Sequence, residues 1–187
     1  ARGTAVARTR VAVELLRNVW ARDEAVEYDC VEYQLPYTGP GASGLGKPLK
    51  SILHGRQLLV YLATMGPMNI RTTAELADGW LPIWFSPQRM GLFKPSLEEG
   101  FRRAGGGKSL KGFDIAAGCT VSVAQDVKAL PAAMKQHLAL YMGGMGAGEE
   151  NLHNEMAINS GEAEDAAKTK EVYADGGNQE PKESAPD

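Results

Sequence analysis

The chain has 187 residues (20.0 kDa), of which 43% are hydrophobic and 23% charged, with a formal net charge of −3 and a pI near 5.7. That is length enough for one sizeable core, and the weak acidity excludes a surface that attracts nucleic acid or anionic membrane throughout. No apolar run approaches the roughly 20 residues of a membrane helix, and no apolar h-region follows Arg2, Arg8 and Arg10, so a cytoplasmic protein is expected.

The chain opens without a methionine, on a polar helical stretch, which suggests a piece of a longer chain. Thr4 to Arg22 reads as an amphipathic helix with Val11, Leu15, Leu16 and Val19 on one face and its arginines on a solvated one. Val26–Tyr28 and Val31–Leu35 alternate around Asp29-Cys30 as a small hairpin, although Cys is a poor residue for a tight turn that needs positive φ. From Pro36 to Gly55 the composition shifts to Gly, Pro and Ser, a long loop. Inside it, Gly41 to Lys47 matches the first seven positions of a phosphate-binding P-loop. The eighth is Pro48 instead of Ser or Thr and no strand precedes it, so the context argues against a nucleotide site.

Leu58 to Asn69 is the organising stretch. Its apolar start reads as a buried strand, Gly66-Pro67 ends it, and Ile70, Ala74 and Ala77 then recur at helical spacing. A second apolar run over Ala77–Phe85 completes a βαβ unit with parallel strands. In such sheets ligands sit at the carboxyl ends of the strands, where Thr64 to Pro67 fall. Gly66 permits close approach of backbone to a ligand, the amides of Met65 and Gly66 could donate to a phosphate, and the helix that follows points its positive end there. The residues alone leave this reading level with a plain βα turn. Asp78 reads more readily as a turn or cap residue than as a catalytic acid.

A helix is expected from Pro95 with Leu97 and Phe101 inward, closed by Gly105–Gly107 ahead of Lys108-Ser109. Phe113–Val123 reads as the next strand. Asp126 can cap a helix that Pro131 must break or restart. Leu138–Met142 is apolar and ends in the Gly-rich run Gly143–Gly148. Glu149–Ser160 and Glu162–Ala174 read as two more helices, and Gly176–Asp187 as a polar, disordered tail. His54, His137 and His153 show no zinc spacing, Ser86 no His partner, and Cys30 and Cys119 no CxxC pattern. No metal is expected, the cysteines read as buried thiols of a reducing compartment, and adjacent carboxylates such as Glu98 and Glu99 read as solvated.

Several blocks carry a resemblance over nearly the whole chain. They are Tyr61-Leu62-Ala63-Thr64-Met65-Gly66-Pro67 with Asn69, Thr73 to Pro82, Ala7 to Trp20, Tyr33 to Pro36, Gly44 to Ser51, Pro95 to Phe101 and His137 to Gly146. The sequence resembles the luciferase-like monooxygenase family, most closely its branch using the deazaflavin coenzyme F420. The resemblance implies an α/β fold, a partial TIM (β/α)8 barrel over residues 1–175 lacking the first strands and the last strand. It implies backbone contacts to the phosphate side of the cofactor from Ala63, Thr64, Met65, Gly66 and Pro67, with Met68 standing where the branch usually has Lys or Arg. It also implies hydride transfer between a deazaflavin and a small organic substrate, a homodimer, and catalytic residues upstream of residue 1. Two alternatives stay open: an FMN-dependent monooxygenase of the same fold using molecular oxygen, and a non-catalytic fragment or assembly module.

Overall fold

A computed structural model describes residues 4–52, 58–123, 125, 138–144, 151–159, 161, 163, 164 and 166–168. His54, His137, Asp126, Pro131, the Met145–Gly148 part of the Gly-rich run and the Gly176–Asp187 tail lie outside them. The chain divides into two compact units, Ala1–Gly118 and Cys119–Asp187.

In the first unit, helix α1 (Ala5–Ala21) starts where the Thr4 hydroxyl accepts the Ala7 amide at 3.2 Å and ends on Arg22 in the left-handed region. Its inward face centres on Val13, which packs with Val60 and Ala77, while Leu16 is exposed. That corrects the face read from the sequence, which omitted Val13. The arginines depart from a purely solvated role as well. Arg10 pairs with Glu75 at 2.8 Å and Arg17 with Asp78 at 3.0 Å, tying α1 to the next helix and strand.

The hairpin forms, with β1 (Tyr28–Asp29) antiparallel to β2 (Gln34–Leu35). Its reversal lies over Cys30–Tyr33, closed by the Cys30 amide on the Tyr33 carbonyl at 3.0 Å. Cys30 therefore escapes the tight-turn position that Asp29-Cys30 assigned it. Both cysteines are exposed, where burial was expected, and both are free. After Lys47 the chain forms a bridge between Leu49 and Val26 instead of a helix, so the P-loop lookalike lacks the structure that motif requires.

The core of the unit is a three-stranded parallel sheet, order β3 (Tyr61–Leu62), β4 (Gly79–Trp80), β5 (Asp114–Ile115). Helix α2 (Pro67–Leu76) crosses over between β3 and β4, and α3 (Lys94–Ala104) between β4 and β5. Pairing is far shorter than the apolar runs Leu58–Ala63, Ala77–Phe85 and Phe113–Val123 suggested. Beyond β5, Val121 and Val123 are exposed, and among the described residues these β-branched side chains pair with no strand.

Ile70, Ala74, Trp80, Leu97, Phe101 and Phe113 form one buried cluster between the sheet and its helices. Helices α2 and α3 approach closely at Gly100, where a Cβ would overlap the Arg71 carbonyl oxygen and crowd Ala74. Gly105 closes α3 with positive φ, as the Gly-rich run implied. Glu98 and Glu99 are not simply solvated: Glu98 faces Lys94 at 3.6 Å, and Glu99 takes both Arg102 and Arg103.

In the second unit, residues Leu140–Gly144 form a π-helical turn and Leu152–Asn159 form α4, within the expected Glu149–Ser160 helix. Residues 163–164 and 166–168 are helical too. Buried Asn151 links these elements. Its side-chain nitrogen donates to the carbonyls of Tyr141 and Met142 at 3.0 and 2.9 Å, and its oxygen caps α4 by accepting the His153 amide. The His153 ring meets Tyr141 edge-on at 5.0 Å, and burial pushes its pKa below the ordinary range.

Candidate functional site

Parallel pairing puts the carboxyl ends of β3, β4 and β5 on one edge of the sheet, and the turn Ala63–Pro67 lies there, between β3 and α2. Gly66 has φ 75° and ψ 149°, a region open essentially to glycine alone. It precedes Pro67 at the first helical position and brings no side chain to cap the helix. Among the described residues the amides of Met68 and Asn69 in the first turn therefore have no capping acceptor, and the helix dipole adds partial positive charge at the same place.

The carbonyls of the turn face the other way. Trp80 Nε1 donates to the Thr64 carbonyl at 2.9 Å, Asn69 Nδ2 to that of Met65 at 3.2 Å, and the Ile70 amide to that of Gly66 at 3.0 Å. All three acceptors of Thr64, Met65 and Gly66 are thus occupied from within the chain. A turn with its oxygens bonded inward and its helix amides uncapped suits an anion. The Thr64 hydroxyl lies 2.7 Å from that of fully buried Thr73, which also reaches the Asn69 carbonyl at 2.9 Å. Ala63 and Pro67 are exposed and complete the edge of the turn, Pro67 without an amide to offer. Met68, beside it, is 60% exposed and uncharged. Across the same edge, Trp84 holds φ 50° after β4, uncommon for so bulky a residue.

At the amino ends of the strands the chemistry differs. Asp78 Oδ2 accepts the Val60 amide at 2.8 Å and Arg17 at 3.0 Å, while Arg17 also donates to the Leu76 carbonyl at 2.9 Å. Lys108 caps the other carbonyls at the end of α2, those of Glu75 and Ala77, and its ammonium stands 5.5 Å from the Phe113 ring centre. Burial pushes its pKa down, only partly offset by Asp78 and Glu75. Asp78 is thus a structural clasp, as its turn reading held. Lys108, passed over as the end of a glycine-rich C-cap, is a second one. On the sheet face away from the helices, Tyr61 donates to Asp114 at 2.9 Å, a bond that raises the phenol's pKa.

An open hollow of about 570 Å³ lies against α3 and the loop after it, lined by Lys94, Arg102, Lys108 and Lys111 among others. Its basic look is misleading. Lys94 and Arg102 face Glu98 and Glu99, and Lys108 is engaged with the backbone of α2. Among the described residues no group of three or more His, Cys, Asp or Glu could hold a metal ion, and no helix is long and apolar enough to cross a membrane. Sequence reasoning named the turn but missed Thr73 and Trp80, which hold it from below. Their signal was a hydroxyl and an indole on apolar faces, each needing a buried partner.

Comparison with known proteins identifies the family of the chain. The sequence model of the luciferase-like monooxygenases matches residues 1–187. The chain is 40% identical over 184 residues to a Mycobacterium tuberculosis protein named "putative coenzyme F420-dependent oxidoreductase", covering 97% of this chain and 53% of that one. It is 32% identical over 96 residues to the 5,10-methylenetetrahydromethanopterin reductase of Methanopyrus kandleri, covering 51% of this chain and 26% of that protein. The solved coenzyme F420-dependent tetrahydromethanopterin reductase from Methanopyrus kandleri superposes with a TM-score of 0.56 at 22% identity, over 86% of this chain and 46% of that one. At that identity the likeness speaks to the fold alone. The chain spans about half the length, or less, of the curated relatives it matches. With the whole sequence matched by the family's model, the chain belongs to the luciferase-like monooxygenase family.

Proposed function

We propose that this chain supplies part of the cofactor pocket of a coenzyme F420-dependent oxidoreductase, built on one portion of a (β/α)8 barrel. Alternating strands and helices with parallel pairing are the pattern of such a barrel, and both curated relatives bear on an F420-type cofactor or a reductase activity by name. The observation that carries the reading is the polarity of the turn after β3, with the carbonyls of Thr64, Met65 and Gly66 bonded inward beneath the uncapped start of α2.

In this reading Ala63, Thr64, Met65, Gly66 and Pro67 hold the phosphate side of the cofactor. Gly66 lets the ligand approach the main chain, and the amides of the first helical turn meet negative charge. When bound, the deazaflavin supplies hydride transfer to or from an organic substrate, and the protein supplies its placement. Met68 contributes no charge, so the backbone bears the anion with the helix dipole.

Titrating coenzyme F420 into the purified chain tests this. Saturable quenching of the cofactor's fluorescence, with a concentration-dependent rise in melting temperature, is the expected result. Unchanged fluorescence and melting at millimolar F420 would overturn the proposal. A response to FMN alone would transfer the site to the other cofactor.

A further inference from the structure

The Thr64, Thr73 and Asn69 triplet contains fewer protons than its acceptors can use. Thr73 is fully buried, and its hydroxyl proton is shared between two neighbours, the Asn69 carbonyl at 2.9 Å and Thr64 Oγ1 at 2.7 Å. A carbonyl only accepts. When Thr73 donates to Asn69, Thr64 must therefore donate inward to Thr73 and turn lone pairs towards the ligand edge. When Thr73 donates to Thr64 instead, the Thr64 proton is released outward, and the Asn69 carbonyl keeps the amide bond that an α-helix provides. Back-bonding from a helical threonine to the carbonyl four residues earlier is common by itself. The contact with Thr64 is an addition to it.

Trp80 fixes the other half of the same residue. Its indole N–H holds the Thr64 carbonyl inward at 2.9 Å from a side chain that is 1% exposed, so the peptide cannot rotate that oxygen towards an anion. We propose that Thr73 and Trp80 are positioning residues that set the polarity of the Thr64 turn, through a hydroxyl chain that reverses direction when an oxyanion binds. This rests on the cofactor reading above. With the chain reversed, Thr64 accepts from Thr73 and donates to the anion, and a hydroxyl that accepts one bond donates a stronger one. Apart from the proton positions no covalent chemistry is involved.

The test uses the 187-residue chain, its Thr73→Ser, Thr73→Val and Trp80→Phe variants, and coenzyme F420 and inorganic phosphate as probes. Affinity is read from F420 fluorescence, and the indole N–H resonances of ¹⁵N-labelled protein are followed, with Trp80 assigned by its loss in Trp80→Phe. Thr73→Ser should bind as the parent does. Thr73→Val and Trp80→Phe should each bind roughly tenfold more weakly, the size of one well-formed buried hydrogen bond. Either probe should move the Trp80 indole resonance, while that of Trp20 stays in place. If Thr73→Val fails to fold, Thr64→Val removes the same relay from its half-buried end and should show the same weakening. Parental affinity in the valine variant, or a stationary Trp80 resonance at saturation, overturns the positioning roles while leaving the cofactor reading intact. A parent chain that does not respond to F420 overturns that reading, and this inference with it.

Discussion

The two ends of the three-stranded sheet spend their polar groups in opposite ways. At the amino ends, charged side chains close on backbone: Asp78 takes the Val60 amide and Arg17, and Lys108 takes the carbonyls that end α2. The Val60 amide and the carbonyls of Glu75, Leu76 and Ala77 there find partners inside the chain. At the carboxyl ends, neutral groups bind the carbonyls of Thr64, Met65 and Gly66, and the amides at the start of α2 are left without a cap. Stability is concentrated at one end and unspent hydrogen-bonding capacity at the other. That is the division a barrel enzyme makes between its two faces.

Breaking Trp80 should damage both ends at once, because its ring lies in the main core and its N–H holds the turn. Trp80→Ala is expected to cost about 3–5 kcal/mol in urea unfolding and to abolish F420 binding with it. Gly66→Ala separates the two ends. Placing a side chain at φ 75° should cost about 1–3 kcal/mol, yet F420 affinity should fall much further than the remaining folded fraction explains. Asp78→Ala is the mirror experiment. It leaves the Val60 amide and Arg17 without their acceptor and should cost about 1–3 kcal/mol, with F420 affinity of the folded protein unchanged. Equal behaviour of these two variants in both assays would erase the distinction between the ends.

The smallest effect concerns acidity. Arg10, through its hydrogen bond, holds the Glu75 carboxyl below its ordinary value of 4.5, against the opposing pull of burial. The ionised form is therefore favoured by folding. Its contribution is complete above about pH 4.5 and is lost as pH falls through the lower folded value. Glu75→Gln should flatten the acid limb of the melting-temperature profile slightly and leave the neutral plateau little changed. A profile identical to the parent's would mean that this pair does not tether α1.

Helices α1, α2 and α3 were legible because each is written locally. Thr4 caps α1, Pro67 and Pro95 sit in first turns, Gly105 ends α3, and Ile70, Ala74, Leu97 and Phe101 recur at helical spacing and are all buried. The parallel β3–α2–β4 unit followed from the same punctuation. Strand lengths were not legible, since Val121 and Val123 carry the preference for extended structure whether or not a partner strand pairs with them. The arginines of α1 looked solvated because their partners, Glu75 and Asp78, lie some sixty residues away.

The sequence by itself determined helices α1, α2 and α3, the position of the turn after β3 and, through blocks such as Tyr61–Pro67 and Thr73–Pro82, the family. Those are local properties: caps, periodicity, and the backbone freedom of Gly66. Which way the Thr64 hydroxyl and carbonyl face was decided by tertiary structure, whereas Met65 and Gly66 are bonded by the local first turn of α2. The answer depends on Thr73 and Trp80 arriving from α2 and β4 with a hydroxyl and an indole N–H, and a hydrogen bond's direction exists only once both partners are in place.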